Sequence, residues 1–307
     1  MKKYIKRLYF WGLIVFIVVA FSMFIQHYNN NRLIEENVKD MTSLSVDLLN
    51  EKINNWLENK SQVIDDLENI IALDNYNDQE KLKILEEFLK NNDKFFSIYF
   101  GTPKNKMLNA SGWKPPEDFD LRDRPWYTKA VKNDELIYTE AFINASHDDI
   151  IITIAKPVYS NKNGEFMGVI AGDLSIKTII SFVKNEKVSD EGFFMLIDSK
   201  NNILAHQEHE YSLKKGPPKL TEKYDKSIFF NNNLIDDVKK LTLNDKKGFL
   251  TYESVKNTDW YLSNFIPLEE YTDIFHRLLR SFFVALLISS IVFMIFFYIH
   301  NKYVISP

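Results

Sequence analysis

Two uninterrupted apolar runs stand near the ends of the chain, and between them the spacing of hydrophobic positions changes from helical to strand-like. The first run, Leu8 to Ile25 (LYFWGLIVFIVVAFSMFI), and the second, Ser281 to Ile299 (SFFVALLISSIVFMIFFYI), contain no charged residue. Each approaches the roughly 20 apolar residues that cross a bilayer as a helix. A backbone in lipid must satisfy its own hydrogen bonds, so helix is the expected form. From Asn31 to about Leu73, apolar residues recur at three- and four-residue steps: Val38, Met41, Leu44, Leu48, Leu49, Ile53, Trp56, Val63, Leu67 and Ile70. No Pro or Gly interrupts them, which predicts a long helical spine continuing the first span outward. A shorter amphipathic helix is expected near Glu80–Asn91, with Leu82, Leu85, Phe88 and Leu89 on one face.

After Asn92 the pattern becomes strand-like. Phe95–Phe100, Ile150–Ala155 and Phe166–Ala171 are short aromatic or β-branched runs, the last two joined by the turn cluster Ser160-Asn161-Lys162-Asn163-Gly164. The texture then repeats: Phe193–Asp198 with Asn202–Ala205, and Gly248–Tyr252 with Trp260–Phe265, read as two further hairpins. Two small α+β modules in series are therefore expected, divided near residues 185–192.

Charge sets the orientation. Lys2, Lys3, Lys6 and Arg7 precede the first apolar run, placing the N-terminus in the cytoplasm by the positive-inside rule. Those cations would also suit a signal peptide. The run is longer than a 7–15-residue signal core, however, and Gln26-His27-Tyr28-Asn29-Asn30 is a poor cleavage sequence, so an uncleaved anchor is expected. The resulting division is a cytoplasmic start at 1–7, a membrane helix at 8–26, an extracytoplasmic region at 27–280, a second membrane helix at 281–299 and a cytoplasmic segment at 300–307. Within 27–280, residues 27–186 form the spine and membrane-distal module and 187–280 the membrane-proximal one.

Composition narrows the function classes. Hydrophobic residues at 45% and charged residues at 26% indicate a folded chain. A formal net charge of −4 gives no reason to expect a nucleic-acid partner. With no cysteine, neither a disulfide framework nor a thiolate metal site can form. His206-Gln207-Glu208-His209-Glu210 departs from H-E-x-x-H and follows a hairpin, so it reads as a solvated loop and no metal is expected. No nucleophile–base pair, catalytic carboxylate pair or phosphate loop stands out, so neither enzyme activity nor a cofactor is expected.

The stretch Arg122-Asp123-Arg124-Pro125-Trp126-Tyr127-Thr128-Lys129-Ala130 resembles the signature of the double-Cache (dCache_1) extracellular sensor domain of bacterial transmembrane receptors. The hairpin from Ile154-Ala155-Lys156-Pro157-Val158 to Gly168-Val169-Ile170-Ala171-Gly172-Asp173 is similar too, as are Ile197-Asp198, Ala205-His206 and Thr258-Asp259-Trp260. The resemblance covers about residues 30–270. It implies an α+β fold: a long N-terminal helix and two tandem PAS-like modules, with the ligand pocket in the distal one, flanked by two transmembrane helices. It also implies a receptor feeding a chemotaxis, kinase or cyclase output. Val304-Ile305-Ser306-Pro307 resembles the opening of a HAMP linker, so that output is expected in a C-terminal part beyond it or on a separate protein. A homodimer is expected, with the stripe from Val38 to Ile70 as a candidate face unless the domain's own sheet covers it. The alternatives are a membrane-anchored extracytoplasmic enzyme and a non-binding adaptor.

By its chemistry, Arg124 offers a planar fork for a carboxylate, and Trp126 and Tyr127 add polar tips and rigid apolar walls. The plainer alternative is an aromatic core cluster beside a surface arginine. The resemblance assigns Arg124, Trp126 and Tyr127 to a ligand carboxylate and Asp173 to a ligand amine, in a pocket largely closed to water. Arg122 is expected to be solvated. The chain departs from the amino-acid-binding pattern at Phe119, where a tyrosine is expected, and at Phe142-Ile143-Asn144, where a Tyr-x-Asp pair is expected. These three positions keep the carboxylate end of the site and weaken the amine end, so an amino acid, a modified amine or an organic acid all fit. Asp148 and Asp149 read as a solvated turn near the pocket mouth.

Overall fold

A computed structural model describes residues 2–143, 150–200, 202–207, 238–243 and 245–300. Helix α1 (Lys2–Ala72) precedes α2 (Asp78–Lys90), β1 (Phe95–Gly101), β2 (Met107–Asn109) and α3 (Pro125–Asn133). Strands β3 (Ile137–Tyr138), β4 (Phe142–Ile143), β5 (Ile150–Tyr159) and β6 (Phe166–Ser175) and helix α4 (Lys177–Asn185) complete the first module. The second contains β7 (Phe193–Asp198), β8 (Ile203–His206), β9 (Lys239–Leu243), β10 (Lys246–Ser254) and β11 (Trp260–Pro267), and α5 (Glu269–His300) ends the series.

Both sheets use one design. The first is ordered β2-β1-β6-β5-β3, with β4 also pairing β5, and the second β8-β7-β11-β10-β9. In each, the first strand is flanked by the second on one side and by the last, which is central, on the other. The long hairpin β5–β6 holds antiparallel register from Ile151↔Ser175 to Tyr159↔Phe166, with one irregularity between Val158 and Tyr159.

The chain divides into two compact units, and the division does not fall between the sheets. The larger unit, Thr42–Lys239 with Leu250–Phe265, contains the first sheet and most of the second. Its core is one cluster along α1, where Val46, Leu49, Ile53, Leu57, Ile64, Leu67 and Ile71 meet Ile98, Phe100, Ile152, Ile170 and Leu174 of the first sheet and Phe194, Leu196, Trp260 and Leu262 of the second. The buried stripe includes polar residues: Thr42, Asn50 and Ser61 are also buried. Asn50 donates from Nδ2 to the Ser254 carbonyl at 3.0 Å, and Ser61 Oγ donates to the Leu57 carbonyl at 3.1 Å. Leu44 and Leu48, expected on the stripe, stand off it, 58% and 60% exposed. Most of the apolar face is thus covered by the domain's own sheets.

Strand alternation divides the first sheet into two faces. Ile98, Ile152, Ile170 and Leu174 turn to α1, whereas Tyr99, Ala155, Val169 and Ala171 turn to α3. At Gly172 a Cβ would lie 2.7 Å from the Phe95 ring and 3.1 Å from Ile64 Cδ1, so glycine there admits the spine. In the second sheet His206 is fully buried at the end of β8, its ring 4.7 Å from that of Phe193. This corrects the solvated loop expected for it: strand pairing with Met195 carries His206 into the core. Glu208, His209 and Glu210 lie outside the described residues.

The smaller unit comprises Met1–Met41, Lys240–Phe249 and Ile266–Pro307. Lys240 pairs with Glu35 at 2.6 Å, Tyr271 donates to Met41 Sδ at 3.6 Å, and the Lys247 N–H donates to Glu269 at 2.9 Å. Helical backbone covers both apolar runs. Among the described residues, no helix is long and apolar enough to cross a membrane.

Adjacent leucines on α1 test the stripe. Leu49→Ala should cost about 2–5 kcal/mol, as for a buried large-to-small change, and Leu48→Ala less than about 0.5 kcal/mol, as for a surface one. Chemical denaturation of the two variants measures the difference; equal losses would show the stripe to be misplaced.

Candidate functional site

The outer face of the first sheet carries the carboxylate of Asp173. Asp173 continues the Val169–Ala171 row of β6, and its cross-strand neighbours are Ser97 on β1 and Thr153 on β5. Thr153 Oγ1 donates to Asp173 Oδ1 at 2.7 Å and Tyr99 Oη donates to the same oxygen at 2.9 Å. Among the described residues, Oδ2 receives no hydrogen bond. Burial raises the Asp173 pKa, and the two hydroxyl donors oppose that rise by favouring the carboxylate. Burial and the adjacent negative charge push the Tyr99 hydroxyl well above its usual range, so it stays a donor.

Above this floor sits α3, whose start is set locally. Pro125 occupies the first helical position, where a missing N–H costs nothing. A short turn at Leu121–Asp123 leads into it, capped by the Asp120 side chain accepting from the Arg122 N–H at 2.9 Å. The helix turns Trp126 and Tyr127 inward, 7% and 6% exposed. Trp126 meets Tyr99 edge-on at 5.0 Å and Tyr127 at 5.5 Å, and Tyr127 meets Phe166 at 6.3 Å. Close approach of Trp126 to the sheet needs Gly101, where a Cβ would lie 2.8 Å from Trp126 Cη2.

Arg124 precedes α3 and is exposed, which corrects its expected place in a pocket largely closed to water. As the residue before α3, it stands at the rim while Trp126 and Tyr127 turn in. Its guanidinium lies 4.1 Å above the Phe119 ring, a cation–π stack. Phe119 is steadied in turn by Trp113, edge-on at 5.4 Å. Among the described residues Arg124 has no ion pair, so its fork is free for an anion. Arg122 is exposed but engaged: it binds Asp120 through Nε at 2.8 Å and Nη2 at 2.5 Å, holding that carboxyl down at a pKa of about 2.

The fold therefore links Asp173, Trp126 and Tyr127 into one chain of contacts through Tyr99, with Arg124 and Phe119 stacked at its rim. Phe142, on β4 opposite Ile151, is 46% exposed. Asn144, Asp148 and Asp149 lie outside the described residues. Sequence reasoning missed Tyr99 and Thr153. Thr153 had a signal, being the one hydroxyl in Ile150-Ile151-Ile152-Thr153-Ile154. Tyr99 had none, since an aromatic in a strand reads as core.

The arrangement sets a cation acceptor on the sheet, an anion acceptor at the start of the covering helix and aromatic walls between. Removing either hydroxyl should raise the Asp173 pKa further. Carbon NMR titration of the Asp173 carboxyl in Tyr99→Phe and Thr153→Val checks this; an unchanged or lowered value would contradict the network.

Comparison with known proteins follows the same lines. The family model described as Cache domain, dCache_1, matches residues 30–273. The methyl-accepting chemotaxis protein McpB of Bacillus subtilis is 24% identical over 283 residues, covering 91% of this chain and 41% of that protein. PscA of Pseudomonas syringae, also a methyl-accepting chemotaxis protein, is 28% identical over 203 residues, 64% of this chain and 31% of its own length. The chain thus spans less than half the length of these relatives. Among solved structures, the ligand-binding domain of the Pseudomonas aeruginosa amino-acid chemoreceptor PctC in complex with GABA superposes with a TM-score of 0.63 at 25% identity, covering 76% of this chain and 99% of that one. The ligand-binding domain of Mlp24 with asparagine gives 0.60 at 24% identity, covering 77% and 95%.

Proposed function

The chain belongs to the dCache_1 family of Cache domains, and from that membership we propose that it is the sensing part of a transmembrane chemoreceptor for a small amino-acid-like molecule. Asp173 takes the ligand amine, Arg124 its carboxylate, and Trp126 and Tyr127 wall the space between them. The observation that carries this reading is the Asp173 carboxylate on the covered face of the sheet, oriented by two hydroxyls beneath the aromatic helix. A buried carboxylate without a counter-charge is costly, and an ammonium ligand supplies one. PctC, solved with GABA, is a chemoreceptor domain with a ligand of this charge pattern.

Phe119, Phe142 and Asn144 shape the preference. Phe119 carries the stacked arginine where a tyrosine would offer a hydroxyl. Asn144 can accept from an ammonium without neutralising it, so Asp173 is the principal charge for the amine. In this reading the runs at 8–26 and 281–299 span the membrane, with residues 27–280 outside. The receptor works as a homodimer and passes its signal to a cytoplasmic module. What supports the spans is two long uncharged apolar runs, with four cations before the first.

Calorimetry with GABA and butyrate on the full chain in detergent tests the ligand reading. Arg124→Ala should weaken both ligands by at least about tenfold, the value of a hydrogen bond to a charged group. Asp173→Asn should weaken GABA by a similar factor and leave butyrate unchanged. Equal GABA affinity in wild type and both variants would remove this site as the receptor pocket.

Topology has its own test, because the natural chain has no cysteine. Single cysteines at Asn30 and Lys239 should react with a membrane-impermeant maleimide in intact cells. Labelling only after lysis would place this region inside.

A further inference from the structure

We propose that the cleft where α1, β3 and the β10–β11 turn meet is a second ligand site, taking a small zwitterion between Glu58 and Lys256. It is separate from the Asp173 site and does not depend on that reading. The cleft has a volume of about 330 Å³, within the range of small-molecule sites. One wall is the spine, presenting Leu57, Glu58, Ser61 and Asp65; another is Leu136 and Tyr138, beside and on β3; the third is Lys256-Asn257. The walls thus come from the shared helix, the first module and the second, all within the larger unit.

The walls are pinned. Asn54 Oδ1 accepts from the Lys256 backbone N–H at 2.9 Å, and Asn257 adopts a left-handed φ of 59° that turns the chain there. Tyr138 Oη and Ser61 Oγ are hydrogen-bonded to each other beside the Leu57 carbonyl, which accepts from one of the two. Asp65 is held by Lys156 at 2.8 Å, and that lysine also binds Glu68 at 3.1 Å. These polar groups answer one another and leave a firm floor.

Two charges remain. Among the described residues neither Glu58 nor Lys256 has an ion pair or side-chain hydrogen bond. Burial pushes the Tyr138 hydroxyl up, the Ser61 contact opposes this, and the charges of Asp65 and Glu58 add to the rise, which places the Glu58 charge near the floor. A free anion on the spine and a free cation on the second module's turn match the two ends of one zwitterion. A lone amine or a lone carboxylate would satisfy only one of them. Such a ligand would tie the two modules together across the spine.

The test uses the full chain in detergent, with Arg124→Ala and Asp173→Asn combined to disable both ends of the outer site and GABA as probe. Equilibrium dialysis should find residual GABA binding, at least about tenfold stronger than that of butylamine or butyrate, because each of those leaves one charge unmatched. Glu58→Gln and Lys256→Met should each reduce it at least about tenfold. Glu58→Lys places two cations on the cleft, so it should lose GABA and gain succinate by about tenfold or more. Glu58→Lys with Lys256→Glu restores opposite charges and should restore GABA, which guards against a folding artefact. Absence of residual GABA binding, or residual binding that the Glu58 and Lys256 changes leave intact, would overturn the proposal. Neither result bears on the Asp173 site, which is judged by the calorimetry of Arg124→Ala and Asp173→Asn.

Discussion

The packing of α1 against two sheets is the contact on which the rest depends. A sheet of five or six strands buries one face only if something covers it, and here one helical stripe covers both sheets. The stripe is drawn by geometry more than by hydrophobicity. Thr42, Asn50 and Ser61 are buried on it because the 3.6-residue period carries them there, while Leu44 and Leu48 point away for the same reason. Ser61 finds a backbone carbonyl, and Asn50 finds one through Nδ2 while its Oδ1 has no partner among the described residues. Gly172 completes the fit by leaving room for Ile64 of the spine and the ring of Phe95 on the neighbouring strand β1.

Much of this was legible in the sequence, for identifiable reasons. Long periodic segments gave the spine and the β1, β5–β6, β7–β8 and β10–β11 strands, since runs such as Ile150–Ala155 have few other readings. Shorter elements escaped: α3 and α4 have nine residues each, too few for a helical period to declare itself. The start of α2 did carry a signal, a capping box between Asn77 and Glu80, which satisfies two orphan N–H groups. His206 deceived because a histidine among polar neighbours resembles a loop, whereas pairing with Met195 drew it inside.

The site divides the same way. Asp173, Trp126 and Tyr127 come together as the motif implies. Arg124 does not join them in an enclosed space; its exposure comes from its place just before the helix, and Phe119 gives it a platform there. The Tyr99 and Thr153 hydroxyls could not be found by motif, because they come from strands made adjacent to Asp173 only by the sheet order β1-β6-β5. Sequence proximity assembled the upper half of the site, and topology the lower half.

The two-faced sheet also bears on how such domains diversify. Alternation along β6 puts Ile170 and Leu174 into the shared core and Asp173 on the opposite side. Residues of the outer row can therefore change without disturbing the inner row that keeps the protein folded. The freedom of the outer row to vary, in this architecture, is a by-product of the two-residue repeat of an extended chain.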